Sequence, residues 1–110
     1  MNYRTEEELK KRVDRIVKKK RYSKYLLCGD YYSCFTRFFK EHNKIVLMVC
    51  KDILKSSAHV CPLEDICGNI KYALYNEPDN YDFYIVDKEN LTVTETDPTH
   101  LKKIREQNKN

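Results

Sequence analysis

Tryptophan is absent from this sequence, glycine occurs only twice, and no apolar run approaches the roughly 18 residues of a membrane-spanning helix. The last two lacks each remove a class of function. With only Gly29 and Gly68 there is no glycine-rich phosphate loop and no G-x-S-x-G elbow, and the H-E-x-x-H metalloprotease signature is also missing. The opening "MNYRTEEELKKR" is charged where a secretory signal carries its apolar segment, so the chain is expected inside the cell. Five cysteines, Cys28, Cys34, Cys50, Cys61 and Cys67, are an odd number without a C-x-x-C pair, which favours reduced thiols over a disulfide framework. His59, Cys61 and Cys67 lack the spacing and the second ligand pair of a zinc site, so no metal and no cofactor are expected. His42, His59 and His100 fall in separate elements, and Glu64 and Asp65 are adjacent, so no acid–base pair and no small-molecule substrate are expected either.

What is present is charge and aromatic side chains. Charged residues make up 35% and apolar ones 41% of 110 residues, with nine Tyr and four Phe, the balance of one folded domain with a single modest core. The net charge of +4 is mild, but its distribution is uneven. From Leu9 to Lys24, "LKKRVDRIVKKKRYSK" holds nine Lys or Arg against one Asp. Such a run is either a solvated helix face or a surface for phosphate.

Periodicity places the elements. Thr5 and Glu8 form a T-x-x-E capping box, and Leu9, Val13, Ile16 and Val17 then recur on one face of a helix to about Lys20. Gly29 and Asp30 make the entry to a second helix, on which Tyr31, Cys34, Phe35, Phe38 and Phe39 share the inward stripe while Tyr32 lies off it. "KIVLMVC" is continuously apolar, as in a strand covered on both faces. "SSAHVCPLEDIC" predicts a third helix ending at Gly68, with Val60, Leu63 and Cys67 inward and Pro62 in an early turn. "NIKYALY" and "YDFYIVD" predict two strands joined by "NEPDN", and "LTVTET" an edge strand. "DPTHLKKIREQ" predicts a last helix with an Asp cap, Pro at its first position, and Leu101 and Ile104 as its apolar contacts. The expected fold class is α/β, a three-layer α-β-α sandwich around a small mixed sheet, in one domain over residues 1–110.

Three stretches resemble the kink-turn RNA-binding family of ribosomal proteins, and within it the H/ACA ribonucleoprotein subunits. "LKKRVDRIVKKK" is similar to the family's first helix, with Lys18 and Lys19 at its basic end, and Gly29 follows at the distance of the glycine that opens the second helix. "KIVLMVCKD" is similar to the family's apolar strand ending in an acidic residue, Asp52, and "PLEDICGNIKYALY" to its helix with Pro-Leu leading into a strand. The likeness spans residues 9–75. A second register is open there, with "CPLEDICGN" as the family's Leu-Gly helix after a shortened "ILKSSA". Where the family's kink-turn binders carry a basic residue before the glycine and an Asn-Glu pair and a Lys after it, this chain has Cys28, Tyr31, Tyr32 and Phe35. Only Gly29 of that set is retained.

The resemblance implies a non-catalytic RNA-binding protein of ribonucleoprotein assembly, acting in ribosome biogenesis and rRNA processing. Its partners would be structured guide or ribosomal RNA and other ribonucleoprotein subunits, with no membrane contact, and its place the nucleus or nucleolus in a eukaryote. The expected RNA-binding residues are Lys18, Lys19, Arg21, Lys24, Gly29, Asp30, Tyr31 and Tyr32. Backbone N–H groups at the helix start would hold phosphate, and the two tyrosines would stack on an unpaired base. The alternative is a protein-interaction module on the same scaffold that has lost RNA recognition.

Overall fold

The first helix starts where its cap sequence puts it. In the computed structural model, which describes residues 3–19, 29–52 and 58–108 and only the backbone of 18, 19 and 29–33, Thr5 Oγ1 accepts the Glu8 N–H at 3.2 Å. The Glu8 carboxylate reaches back to the Arg4 N–H at 3.2 Å. These bonds satisfy donors that a helix start leaves free. Helix α1 (Glu6–Lys19) opens with Glu6, Glu7 and Glu8, so its acidic end meets the positive pole of the helix dipole. Leu9, Val13, Ile16 and Val17 are buried, and Lys11, Arg12 and Arg15 are exposed.

Helix α2 (Gly29–Glu41) begins at Gly29, buries Phe35 and Phe39, and half-buries Cys34 and Phe38. Its C-terminal carbonyls are met by a residue distant in sequence. Lys88 Nζ donates to the Phe39 and Lys40 carbonyl oxygens at 2.6 and 3.3 Å. The Lys10 and Lys88 ammonium groups approach the Phe39 ring, 5.0 and 5.4 Å from its centroid. The start of α1 therefore lies beside the end of α2.

Strand β1 (Lys44–Cys50) is buried along all but its first residue, as its continuous apolar run requires. It pairs antiparallel with β2 (Ala58–Pro62) on one side and β3 (Tyr81–Asp87) on the other, and β4 (Thr92–Thr96) pairs with β3, giving the order β2-β1-β3-β4. The alternation of side chains separates two cores. Ile45, Leu47 and Val49 of β1, with Tyr84 and Val86 of β3, face α1 and α2. Val46 and Met48, with Phe83 of β3 and Cys61 of β2, face α3 (Gly68–Asn76) and α4 (Pro98–Gln107) through Ile70, Ala73, Leu74 and Leu101. The three-layer α/β arrangement is thus present, with four helices and a four-stranded sheet among the described residues.

Three expectations are corrected. The sheet is not mixed: every pairing in it is antiparallel. The expected third helix over 56–67 is instead β2 followed by one 3-10 turn, Leu63–Asp65, with residues 53–57 outside the described residues. Proline explains this, because its ring clashes with a helical conformation of the preceding residue and so favours extended backbone at Cys61. Pro62 itself is extended (φ −63°, ψ 142°) and closes an edge strand, where its missing N–H is tolerated. The expected strand "NIKYALY" is helix α3, because Ile70, Ala73 and Leu74 are the buried side chains, an i, i+3, i+4 spacing that suits a helix and not a strand. Gly68, expected to end a helix, begins this one in left-handed backbone (φ 59°).

These changes are connected. Once residues 58–62 form a strand, β1 is followed by a direct antiparallel return, and α3 becomes the crossover from β2 to β3. Those two strands then run in the same direction on either side of β1. The two later elements match their patterns. β4 is an edge strand, and α4 has the Asp97 carboxylate accepting the His100 N–H at 2.8 Å, Pro98 in its first turn and Leu101 fully buried.

Candidate nucleic-acid interface

Burial of Leu9, Val13, Ile16 and Val17 fixes the rotation of α1 about its axis. The middle of that helix then presents cations to solvent: Lys11, Arg12 and Arg15 are exposed, while Lys10 folds in over Phe39. Lys18 and Lys19, three and four residues beyond Arg15, are the last two residues of the same helix. Asp14, the one acidic residue of the run from Leu9 to Lys24, is half-buried. Between Lys11 and Arg15 the outer surface of α1 is therefore cationic, able to bind a phosphate backbone through charge without reading bases.

Of the other residues expected in the site, Gly29 opens α2, and Asp30, Tyr31 and Tyr32 fall in its first turn. Arg21 and Lys24 lie outside the described residues, as do the side chains of Lys18, Lys19, Asp30, Tyr31 and Tyr32. The structure does bring α1 and α2 onto one face of the sheet, where Leu9, Val13, Ile16, Val17, Phe35 and Phe39 form one core.

A second group of aromatic and basic residues lies on the opposite layer, and sequence reasoning missed it. Tyr72 and Tyr75 of α3 are exposed, and Lys102 and Arg105 of α4 lie over the Tyr75 ring. Its signal was the i, i+3 spacing of the two tyrosines, hidden by reading residues 69–75 as a strand.

Two clefts lie among the described residues. One, of about 410 Å³, wraps the edge strand β2 and is lined by Cys34, Phe38, Val60, Cys61, Cys67 and Asn69 among others. Burial pushes the Cys61 thiol up from 9.0 to about 12, with the neighbouring Cys67 and Asp65 adding to it and a hydrogen bond from the Cys67 backbone opposing it. A thiol so disposed is protonated at neutral pH and a poor nucleophile. His59 contacts the Asn69 amide at 3.4 Å beside this cleft. The other, of about 380 Å³, is open and lined by Glu41, His42, Asn43, Lys44, Glu64 and Glu89 among others, with His42 paired to Glu64 at 2.5 Å. Among the described residues no three His, Cys, Asp or Glu side chains are grouped to hold a metal ion. No helix among them is long and apolar enough to cross a membrane.

Among the described residues the protein is of the α/β class, with two pairs of helices packed on the two faces of a four-stranded antiparallel sheet. Comparison with protein-family models, curated proteins and solved structures finds no match to it.

Proposed function

We propose that this chain is a non-catalytic RNA-binding protein of ribonucleoprotein assembly, holding the phosphate backbone of a structured RNA on the outer face of α1. One observation carries the reading: the apolar stripe of α1 is buried, and Lys11, Arg12 and Arg15 stand exposed on a helix that ends in Lys18 and Lys19. The guide-RNA and ribosome-biogenesis setting follows from the kink-turn resemblance, which is weakened over residues 58–75, where the expected helix and strand are a strand and a helix. The proposal is accordingly one of backbone binding, with no kink-turn base readout.

The test is titration of a labelled, structured RNA with the full chain at several salt concentrations between about 50 and 200 mM. Affinity should fall linearly on logarithmic axes. The Lys11→Gln/Arg12→Gln/Arg15→Gln variant should bind more weakly, with a slope smaller by roughly 2 to 3, at about 0.7–0.9 for each phosphate no longer neutralised. No binding at the lowest salt, or a slope unchanged in the triple variant, would overturn the proposal. Retention of a protein partner after nuclease digestion, with no RNA bound, would favour an interaction module instead.

A further inference from the structure

Large apolar side chains on a helix are ordinarily turned inward. Tyr72 and Tyr75 are 60% and 42% exposed on α3, three residues apart, while Ile70, Ala73 and Leu74 of the same helix take the core. The two rings therefore share one outward ridge of the helix. Around Tyr75 the cations are arranged. Lys102 Nζ stands 5.3 Å and the Arg105 guanidinium carbon 5.7 Å from the Tyr75 ring centroid. Arg105 Nη1 donates to the Tyr75 hydroxyl at 3.4 Å, and its Nε to the Ile66 carbonyl at 3.4 Å, which holds the guanidinium in place. Lys71, next to Tyr72, is exposed. This strip ends where Glu77 and Asp79 follow the helix.

We infer that the α3–α4 face is a stacking platform for an unpaired stretch of single-stranded nucleic acid. A base lies on Tyr72, and Lys71, Lys102 and Arg105 meet the flanking phosphates. The chemistry of the surface selects this occupant. An aromatic plane bordered by cations matches a base plane bordered by phosphates, and base–aromatic stacking is indifferent to sequence. Tyr75, already engaged by Lys102 and Arg105, anchors the cations, and Tyr72 is the more open ring. The inference rests on the RNA-binding reading and extends it: α1 lies on one face of the sheet and α3 on the other, so an RNA using both has a structured part and an unpaired flank.

The probe is labelled oligouridine, which forms no stable secondary structure, titrated with the full chain at low salt. Tyr72→Ala should weaken binding roughly 5- to 150-fold, and Tyr72→Phe should bind within about twofold of the natural chain, since stacking does not need the hydroxyl. Lys102→Gln should lower the salt slope by about 0.7. Because the chain has no tryptophan, Tyr72→Trp supplies a single reporter whose emission should be quenched as a base stacks on it. Unchanged oligouridine affinity in Tyr72→Ala, or unchanged emission of Tyr72→Trp at saturating oligouridine, would overturn the inference. If structured RNA still loses its salt slope in the α1 triple variant, the RNA-binding reading stands without this platform. If neither RNA binds, both fail.

Discussion

Cys61 and Cys67 flank the turn between β2 and α3, one thiol buried and the other exposed. The buried one ionises only near pH 12, so an alkylating reagent at about pH 8 should label Cys67 in the folded chain and spare Cys61 until denaturant is added. Mass spectrometry of the labelled peptides reads this directly. The same raised value has a stability consequence whose sign is fixed. The unfolded thiol loses its proton near 9.0 and the folded one near 12, so the stabilisation is intact below pH 9 and is lost as pH rises through that window. Denaturation curves of the natural chain should shift to lower denaturant above pH 9 more steeply than those of Cys61→Ala. Gly68 makes a different demand on its neighbourhood. A Cβ there would meet nothing within 4 Å, so the obstacle to substitution is its φ of 59° and not space. Gly68→Ala should cost about 1 kcal/mol in chemical denaturation, with an unchanged denaturant slope, and Gly68→Asn less.

Helices α1 and α4 were legible because their determinants are local: a cap, a stripe and, in α4, a proline within a few residues of one another. Asp97→Ala removes the acceptor of the His100 N–H and should cost about 1 kcal/mol in thermal or chemical unfolding. β1 and β3 were legible from apolar runs, and β4 from its alternation. The segment from Ala58 to Asn76 was not, because two local signals compete there. The serines that open "SSAHVCPLEDIC" and the Gly68 that follows it imitate a helix with a cap and a stop, and the aromatic-rich "NIKYALY" imitates a strand, while the pairing of Val46 with Cys61 and Met48 with His59 decides otherwise. The cap of the α2 C-terminus was also hidden, since the lysine that meets its carbonyls lies on the β3–β4 turn. Lys88→Met keeps most of the side chain's bulk but leaves the Phe39 carbonyl without that donor, and should destabilise the fold by about 1 kcal/mol. For the candidate interface, the basic α1 was readable from charge alone. The Tyr72–Tyr75 ridge depends on α3 being a helix and on α4 coming to rest beside it, a meeting of residues about thirty positions apart.

On the scale of the whole molecule, two cores share one sheet and are filled by alternate residues of the same strands. Leu47 belongs to the side of α1 and α2, and Met48 to the side of α3 and α4, both essentially without solvent contact. Leu47→Ala and Met48→Ala should each cost roughly 2–5 kcal/mol, through cavities on opposite sides of the sheet. In a small domain that is a large share of the total stability. With both proposed nucleic-acid surfaces on helices attached to this sheet, either substitution should weaken any binding on both faces by lowering the folded fraction, an effect a stabilising osmolyte would reverse. Direct loss at Lys11 or Tyr72 would not respond to it.

Strand β1 is hydrogen-bonded on both edges and sealed by helices above and below. Neither half of the protein can come apart without exposing it, so melting is expected to be all-or-none. In deuterated buffer the amides of Val46 to Val49 should be the slowest to exchange, at a rate set by global opening, and a mutation anywhere in either core should speed them. That strand serves as the clock by which damage to any other part of the chain can be timed.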